Sequence, residues 1–459
     1  MIRLPLLRSF LALAILVPSA FAGELRVGAA ATVINPPPGT PLAGYYGMRA
    51  SAGVLDDIFA KALVFEQDGA KAAVVVCDLI SLPRHIVVDA RALIEKQTGI
   101  ADVMLAATHT HTAPVLTRES SMDGLVGGTT ELSRSYTAQL PALIAQAVAD
   151  ANARLAPARA FAAKGRVENL AYNRRFWMED GTVSWNPPKL DPRIVAPAGP
   201  HDPEVGLLYF AGADTATAKE IACFVNYAMH PDTTGGLKIS ADYQGVVSRR
   251  LAEMKSPALV TLVANGTCGN LNHRNVWWAD RQGGPGETAR LGNILAGAVS
   301  EVWPRLAEIQ TATVRARHEI VKLALPDITE ADRAAARETA RRAGSAKFME
   351  QVQTFRVLDV LAREGQPWEV EVQVIALGGD VAFVSLPGEI FVELGLAIKA
   401  ASPFKHTQII ELANGSVGYV PNRSAYAEGN YEVISARCAA GSGEKLVEAA
   451  VRMLKDLKP

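Results

Sequence analysis

The feature that most constrains this chain is the apolar run Val103-Met104-Leu105-Ala106-Ala107, which opens directly into Thr108-His109-Thr110-His111-Thr112-Ala113-Pro114. If the run is a strand, residues two apart share a side, so His109 and His111 are expected to leave the strand end together. Pro114 has no N–H to donate and stops the ladder, which places the pair where a buried strand gives way to a loop. Two imidazoles on one side begin a metal site, yet a His-x-His pair by itself is as often structural. The rest of the chain must decide between them.

The segments before it read as a strand pair, residues 61–66 and 72–77, turning at Gln67-Asp68-Gly69, followed by a helix over 87–98 that Gly99 ends. Strand, helix and strand ending in His-x-His form a βαβ-like unit, and ligand sites in α/β folds lie at such strand ends. Two further segments repeat the theme. The apolar strand at 220–228 ends in Met229-His230-Pro231, and the strand at 381–385 ends in Leu386-Pro387-Gly388-Glu389, with Glu389 expected at a helix start. Imidazole and carboxylate ligands with a vacant position describe a catalytic zinc site, where a bound water has a pKa of ~7. The expected fold is therefore α/β: mixed β-sheets flanked by helices, with strand ends converging on a metal.

Loops between these elements add candidates. Asn173-Arg174-Arg175-Phe176-Trp177 sets two guanidiniums among aromatics, more in keeping with a pocket than with a solvated surface. Residues 185–203 hold six prolines and read as a long irregular loop, and 124–130 reads as a mobile Gly/Thr loop over the site. Asn265-Gly266-Thr267-Cys268-Gly269-Asn270-Leu271-Asn272-His273 is a loop able to turn N–H groups toward a ligand. Asp242 is expected to cap a helix. The charged helical stretch at 325–343 reads as a peripheral excursion without chemistry. His85, His318 and His406 sit in helical or surface-like contexts, and His273 admits either reading.

The first 22 residues carry Arg3 and Arg8, a short apolar core and Ala20-Phe21-Ala22. That is a secretory leader, shorter than a membrane span, with residues 23–459 as one mature catalytic domain. The chain is expected to be exported, periplasmic or secreted. Four cysteines are too few for a disulfide scaffold; Cys77 and Cys223 read as buried hydrophobes, while Cys268 and Cys438, in Gly-rich loops, form a candidate bridge. A net charge of -1 gives no field that favours nucleic acid.

Taken together, Ala107-Thr108-His109-Thr110-His111, Asn173-Arg174, Asn226-Tyr227-Ala228-Met229-His230-Pro231, Gly269-Asn270-Leu271, Leu386-Pro387-Gly388-Glu389, and Gly418-Tyr419-Val420 followed by Tyr431-Glu432 resemble the neutral/alkaline, non-lysosomal ceramidase family in order and rough spacing. The resemblance runs from about residue 25 to the C-terminus. It implies zinc held by His109, His230, Glu389 and Tyr419, with His111 as acid/base for the zinc-bound water. Arg174 and Tyr431 would contact substrate, Tyr431 donating to the developing oxyanion. The implied reaction cleaves the amide of a lipid such as ceramide, with transient contact to a membrane surface.

Two departures qualify the substrate. Where the family's loop carries a serine this chain has Asn272, which hydrogen-bonds but cannot be acylated. The sequence also ends where the family's C-terminal β-sandwich would begin. The alternatives are a hydrolase of another amide or ester and an inactive ligand-binding homologue.

Overall fold

A computed structural model describes residues 23–459 except 119, 121–122, 216–218, 310–312 and 343–345; the leader at 1–22 lies outside the described residues. A nine-stranded mixed sheet dominates, in the order Val260–Asn265, Glu220–Tyr227, Glu204–Gly212, Ala156–Arg166, Arg26–Val33, Phe59–Gln67, Ala70–Cys77, Asp102–Ala107, with Ala307–Glu308 added to Ala156–Arg166. Its central strands are apolar at successive positions because both faces are covered. Leu63, Phe65, Val74, Val76, Met104 and Ala106 face a second sheet, while Ala62, Val64, Ala73, Val75, Val103 and Leu105 face helices. The expected βαβ unit is present: Ala70–Cys77 and Asp102–Ala107 pair in parallel across the helix Arg84–Thr98. Gly99, at φ 71°, ends that helix by donating its N–H to Glu95 O.

The second sheet has four strands, ordered Val314–Leu323, Trp368–Leu377, Val381–Ser385, His406–Ile410. Its inner side meets the large sheet through Phe383, which packs on Phe65 and Phe224 with ring centroids 5.9 and 5.1 Å apart. Its outer side is covered by the helices Val392–Ala401 and Ser442–Leu457. The latter buries Leu446, Ala449, Ala450, Met453, Leu454 and Leu457, the i, i+3, i+4 stripe of an amphipathic helix. The result is four layers: helices, large sheet, small sheet, helices.

The segment after His406–Ile410 stitches the layers together. Ala413 bridges Ala106, Leu412 O accepts from Ala107 N at 3.2 Å, and Asn414 N donates to Leu105 O at 2.8 Å. On its other side, Glu411 N donates to Asn265 O at 3.1 Å. Strands Asp102–Ala107 and Val260–Asn265 end the large sheet's order at opposite edges, yet both bond to this one seam. The sheet therefore curls, and its two edges meet where the histidines emerge.

Several local expectations change. Residues 124–130 are not an open loop; Asp123–Val126 is a short helix, and Gly128 O accepts from Thr117 Oγ1 at 2.7 Å. The proline-rich stretch is partly ordered, since Val183–Trp185 and Ile194–Pro197 flank Arg175–Met178 in a three-stranded sheet. Asp242 does not cap its helix from outside. It is the first helical residue, at φ 53°, and its carboxylate accepts from Thr233 and Thr234 N–H groups at 3.0 and 2.9 Å. His406 is buried within a strand rather than in a helical or surface setting.

The predicted Cys268–Cys438 bridge is absent: all four cysteines are free and buried. Cys268 Sγ donates instead to Glu411 Oε1 at 2.9 Å, and Cys438 lies beside Tyr426. Each thiol is absorbed by its own apolar or hydrogen-bonded surroundings.

Candidate metal centre

His109 does not leave the strand end as a simple i, i+2 partner of His111. The strand stops at Ala107, and His109 takes φ 74°, a left-handed conformation that few residues with a Cβ adopt. Its backbone N–H is held by Leu79 O at 2.8 Å and its Nδ1 by Ile80 O at 2.7 Å. That bond assigns the ring proton to Nδ1 and leaves a lone pair on Nε2. His230, following the strand Glu220–Tyr227, turns Nδ1 toward Cys268 O at 3.5 Å. The three Nε2 atoms then converge: His109 to His230 at 3.0 Å and His109 to His111 at 3.4 Å.

Glu389 arrives from the other sheet layer. It is not at a helix start but in the two-residue strand Glu389–Ile390, paired in parallel with Tyr419–Val420; the helix begins at Val392. Its Oε2 is buried without a hydrogen-bond partner, 3.3 Å from His109 Nε2 and 3.9 Å from His230 Nε2. Burial alone would push this carboxyl up, but the neighbouring His109 and His230 overcome it and hold the pKa far below the usual range. Burial lowers His109, and the Glu389 charge more than restores it, so its pKa rises. His111 falls to about 4 through burial and then the nearby His109.

Close-set imidazole lone pairs repel unless a cation lies among them. With Nδ1 of His109 occupied by a carbonyl and an unpartnered carboxylate oxygen aimed at the same point, the donor set fits a metal ion. His109, His111 and His230 offer ligand atoms within 4.8 Å of one another. Tyr419 adds its hydroxyl, which bonds to Glu389 and accepts from Arg174 Nη2 at 3.1 Å.

Arg174 is buried and committed. Nε bonds Glu432 Oε1 at 2.9 Å and Nη2 reaches Gly269 O at 2.6 Å. Arg175 takes the other oxygen of Glu432 at 3.0 Å, so one buried carboxylate serves two guanidiniums. Tyr431 lies over the site within an aromatic group: its ring is 4.4 Å from Trp185, 5.7 Å from Phe348 and 5.4 Å from Tyr419. Asn272 is fully buried, donating to Asn186 Oδ1 at 2.9 Å and accepting from Arg274 N at 3.0 Å. His273 pairs with Asp232 at 3.5 Å.

Three contributors escaped the sequence reading. Glu411, fully buried in the seam, accepts from Cys268 N at 3.0 Å, from Ile390 N at 2.9 Å and from the Cys268 thiol. It thereby ties the loop behind His230 to the strand of Glu389. Gly269 packs so closely on Glu389 that a Cβ there would lie 2.5 Å from Glu389 O. Thirdly, the charged 325–343 stretch forms the helix Glu330–Arg341, which buries only Ala336 and Thr339 and is peripheral as expected, but the helix it pairs with, Phe348–Leu361, lays Phe348 against Trp185 and Tyr46 and Phe355 against Tyr46. Phe348 and Phe355 are apolar among charges, the one signal the sequence carried.

Layered sheets, a curled nine-stranded sheet closed by a seam, and a histidine cluster with an inward carboxylate define an α/β fold built around a metal-compatible cleft. No family model matches the sequence, and no curated protein matches it. The fold is that of neutral ceramidase. The crystal structure of neutral ceramidase from Pseudomonas aeruginosa superposes with a TM-score of 0.74 at 20% identity, covering 95% of this chain and 75% of that one. A ceramidase complexed with C2 gives 0.73 at 20% identity, covering 95% and 76%. At that identity the likeness is one of fold.

Proposed function

We propose that this chain is an exported zinc-dependent amidohydrolase that cleaves the C–N bond of an N-acyl lipid of ceramide type, giving fatty acid and amine. The observation that carries the reading is the convergence of three imidazole Nε2 atoms and the unpartnered Glu389 oxygen at one point. In this reading His109, His230, Glu389 and Tyr419 hold the zinc. Zinc supplies a Lewis acid for the amide carbonyl and lowers the pKa of water to ~7.

The chain's own groups divide the remaining work. His111, uncharged at neutral pH, takes the proton of the attacking water and passes it to the leaving amine. Tyr431 donates to the developing oxyanion. Arg174, its guanidinium already engaged, acts through the Tyr419 hydroxyl and fixes its orientation. Asn272 can only hydrogen-bond, so catalysis proceeds by water and not by a covalent acyl intermediate at that position. The aromatic group around Trp185, Phe348 and Tyr431 gives an acyl chain an apolar wall. No helix among the described residues is long and apolar enough to cross a membrane.

The test is metal content of the purified protein together with fatty-acid release from a short-chain fluorescent ceramide, with and without chelator. About one zinc per chain and chelator-sensitive release are expected. Zinc without release would redirect the search to other amides and esters, and absence of zinc would overturn the reading.

A further inference from the structure

The two ends of the large sheet differ in what they show to solvent. At the end where His109 and His230 emerge, Val33 lies opposite Phe59 and Ala60 opposite Cys77, while Gly206 lies opposite Asn226 and Glu204 opposite Arg166. The connections 34–58, 167–203, 228–241 and 266–284 therefore all leave the sheet on the side of the histidine cluster. Each carries exposed apolar side chains, among them Met48, Leu55, Leu190, Leu237, Trp277 and Trp278. The connections at the other end, 68–69, 99–101, 154–155, 213–219 and 255–259, expose no large apolar side chain among the described residues. Apolar side chains gathered at one end mark a surface that is covered in use.

The patch is densest where two of these connections touch. Leu190 N donates to Val276 O at 2.8 Å, which sets Leu190, 55% exposed, beside Trp277 and Trp278, 50% and 44% exposed. The indoles are held outward by an ordered loop. Asn275 N donates to Gln282 Oε1 at 2.6 Å, Gln282 Nε2 donates to Asn275 O at 2.9 Å, and Trp277 N donates to Asn275 Oδ1 at 2.9 Å. At the base of the loop, His273 pairs with Asp232, two residues beyond His230, so the loop is tied to the site.

Charge says what covers the patch. Lys189, Arg274 and Arg281 have no ion pair among the described residues, and Lys189 Nζ donates only to the backbone carbonyl of Asp280. Asp280 is the one acid of the loop, and Glu287, which also faces Lys189, is taken by Arg290 at 2.6 Å. Two positive charges are left over. Indoles at headgroup depth with cations on phosphates are the complement of an anionic bilayer.

Resting on the amidohydrolase reading, we infer that this loop pair docks on an anionic membrane. Trp277, Trp278 and Leu190 enter the headgroup layer, Lys189, Arg274 and Arg281 meet its phosphates, and the histidine cluster is held against the lipid it acts on.

The test measures sedimentation of the full chain with vesicles of phosphatidylcholine, alone or mixed with phosphatidylglycerol, and quenching of its tryptophan fluorescence by brominated acyl chains. Binding to the mixed vesicles, with quenching, is expected to be ~10-fold or more tighter than to the neutral ones, each surplus cation contributing ~5-fold. Trp277→Ala with Trp278→Ala should weaken binding ~10-fold or more and remove most of the quenching. Arg274→Gln with Arg281→Gln leaves Lys189 and Asp280 in balance and should erase the preference for the anionic lipid. Met254→Ala, at the sheet's other end and equally exposed, should change nothing. Hydrolysis separates docking from chemistry: the tryptophan pair variant should slow cleavage of long-chain ceramide in vesicles and leave a soluble short-chain ceramide unaffected. No vesicle binding, or binding that this variant retains, overturns the docking surface, and cleavage of the short-chain ceramide then leaves the hydrolase intact. Binding lost in the variant, with neither ceramide cleaved by the unmodified protein, keeps the docking surface and overturns the hydrolase.

Discussion

The two sides of the cleft are built on different principles. The large sheet delivers His109, His111 and His230 from the ends of two apolar strands, Asp102–Ala107 and Glu220–Tyr227, each held along its length by a continuous ladder. The small-sheet side delivers Glu389 and Tyr419 from a pair of two-residue strands that would not persist alone. Their position comes from outside: the Glu411 carboxylate on Ile390 N, and Asn270 Oδ1 on Val392 N at 2.9 Å. One side is held by continuous hydrogen-bonded ladders and the other by single buried polar groups. The first should tolerate loss of any one contact; the second should not.

The largest expected effect tests whether both sides contribute to one centre. His109→Ala and Glu389→Ala should each abolish bound metal and activity, read as metal content and hydrolysis of the same sample. If Glu389→Ala keeps its metal, the small-sheet side is scaffold only. Next comes stability. Glu432→Ala leaves Arg174 and Arg175 buried without their shared partner and should cost ~3–5 kcal/mol in denaturant unfolding. A cost below ~1 kcal/mol would show that water or another acid substitutes.

The large-sheet side should instead reveal itself through pH. Asp78, just after strand Ala70–Cys77, is raised by burial from 3.8 to about 6, with Lys61 opposing. The folded state then binds the extra proton, so this contribution is full below about pH 3.8 and is lost as pH rises to about 6. It amounts to roughly 3 kcal/mol, and Asp78→Asn should flatten that part of the profile. Smallest is Glu411→Gln, expected to weaken metal affinity ~10–100-fold in chelator competition without unfolding the protein. An unchanged affinity would place the control of Glu389 elsewhere.

The same contrast explains what the sequence disclosed. The βαβ unit and the three-histidine convergence were legible because apolar period and Pro or Gly stops mark long strands. The reason inferred for His109 and His111 differed from the real one, since a positive φ, not strand alternation, turns His109 inward. Glu389 was found as a candidate but given the wrong element, because a two-residue strand has no period to read. Glu411 was invisible: a carboxylate in an apolar stretch looks like an exposed charge until the surrounding N–H groups are known. The Cys268–Cys438 pairing failed because Gly-rich neighbours suggest exposure, whereas both thiols are buried.

The helical pair over the cleft has a consequence for how such a protein changes over time. The two strands at its base stay in unbroken register from Val314 opposite Leu377 to Leu323 opposite Trp368. Its ends are therefore as close as the ends of a hairpin turn, and closing a short or a long connection there differs in free energy by little. The pair is a cassette: it can be lengthened, exchanged or cut back to a turn while the ladder beneath survives. Variation in this segment would reshape the aromatic group of Phe348, Trp185 and Tyr431 and leave His109, His230 and Glu389 on their strands untouched.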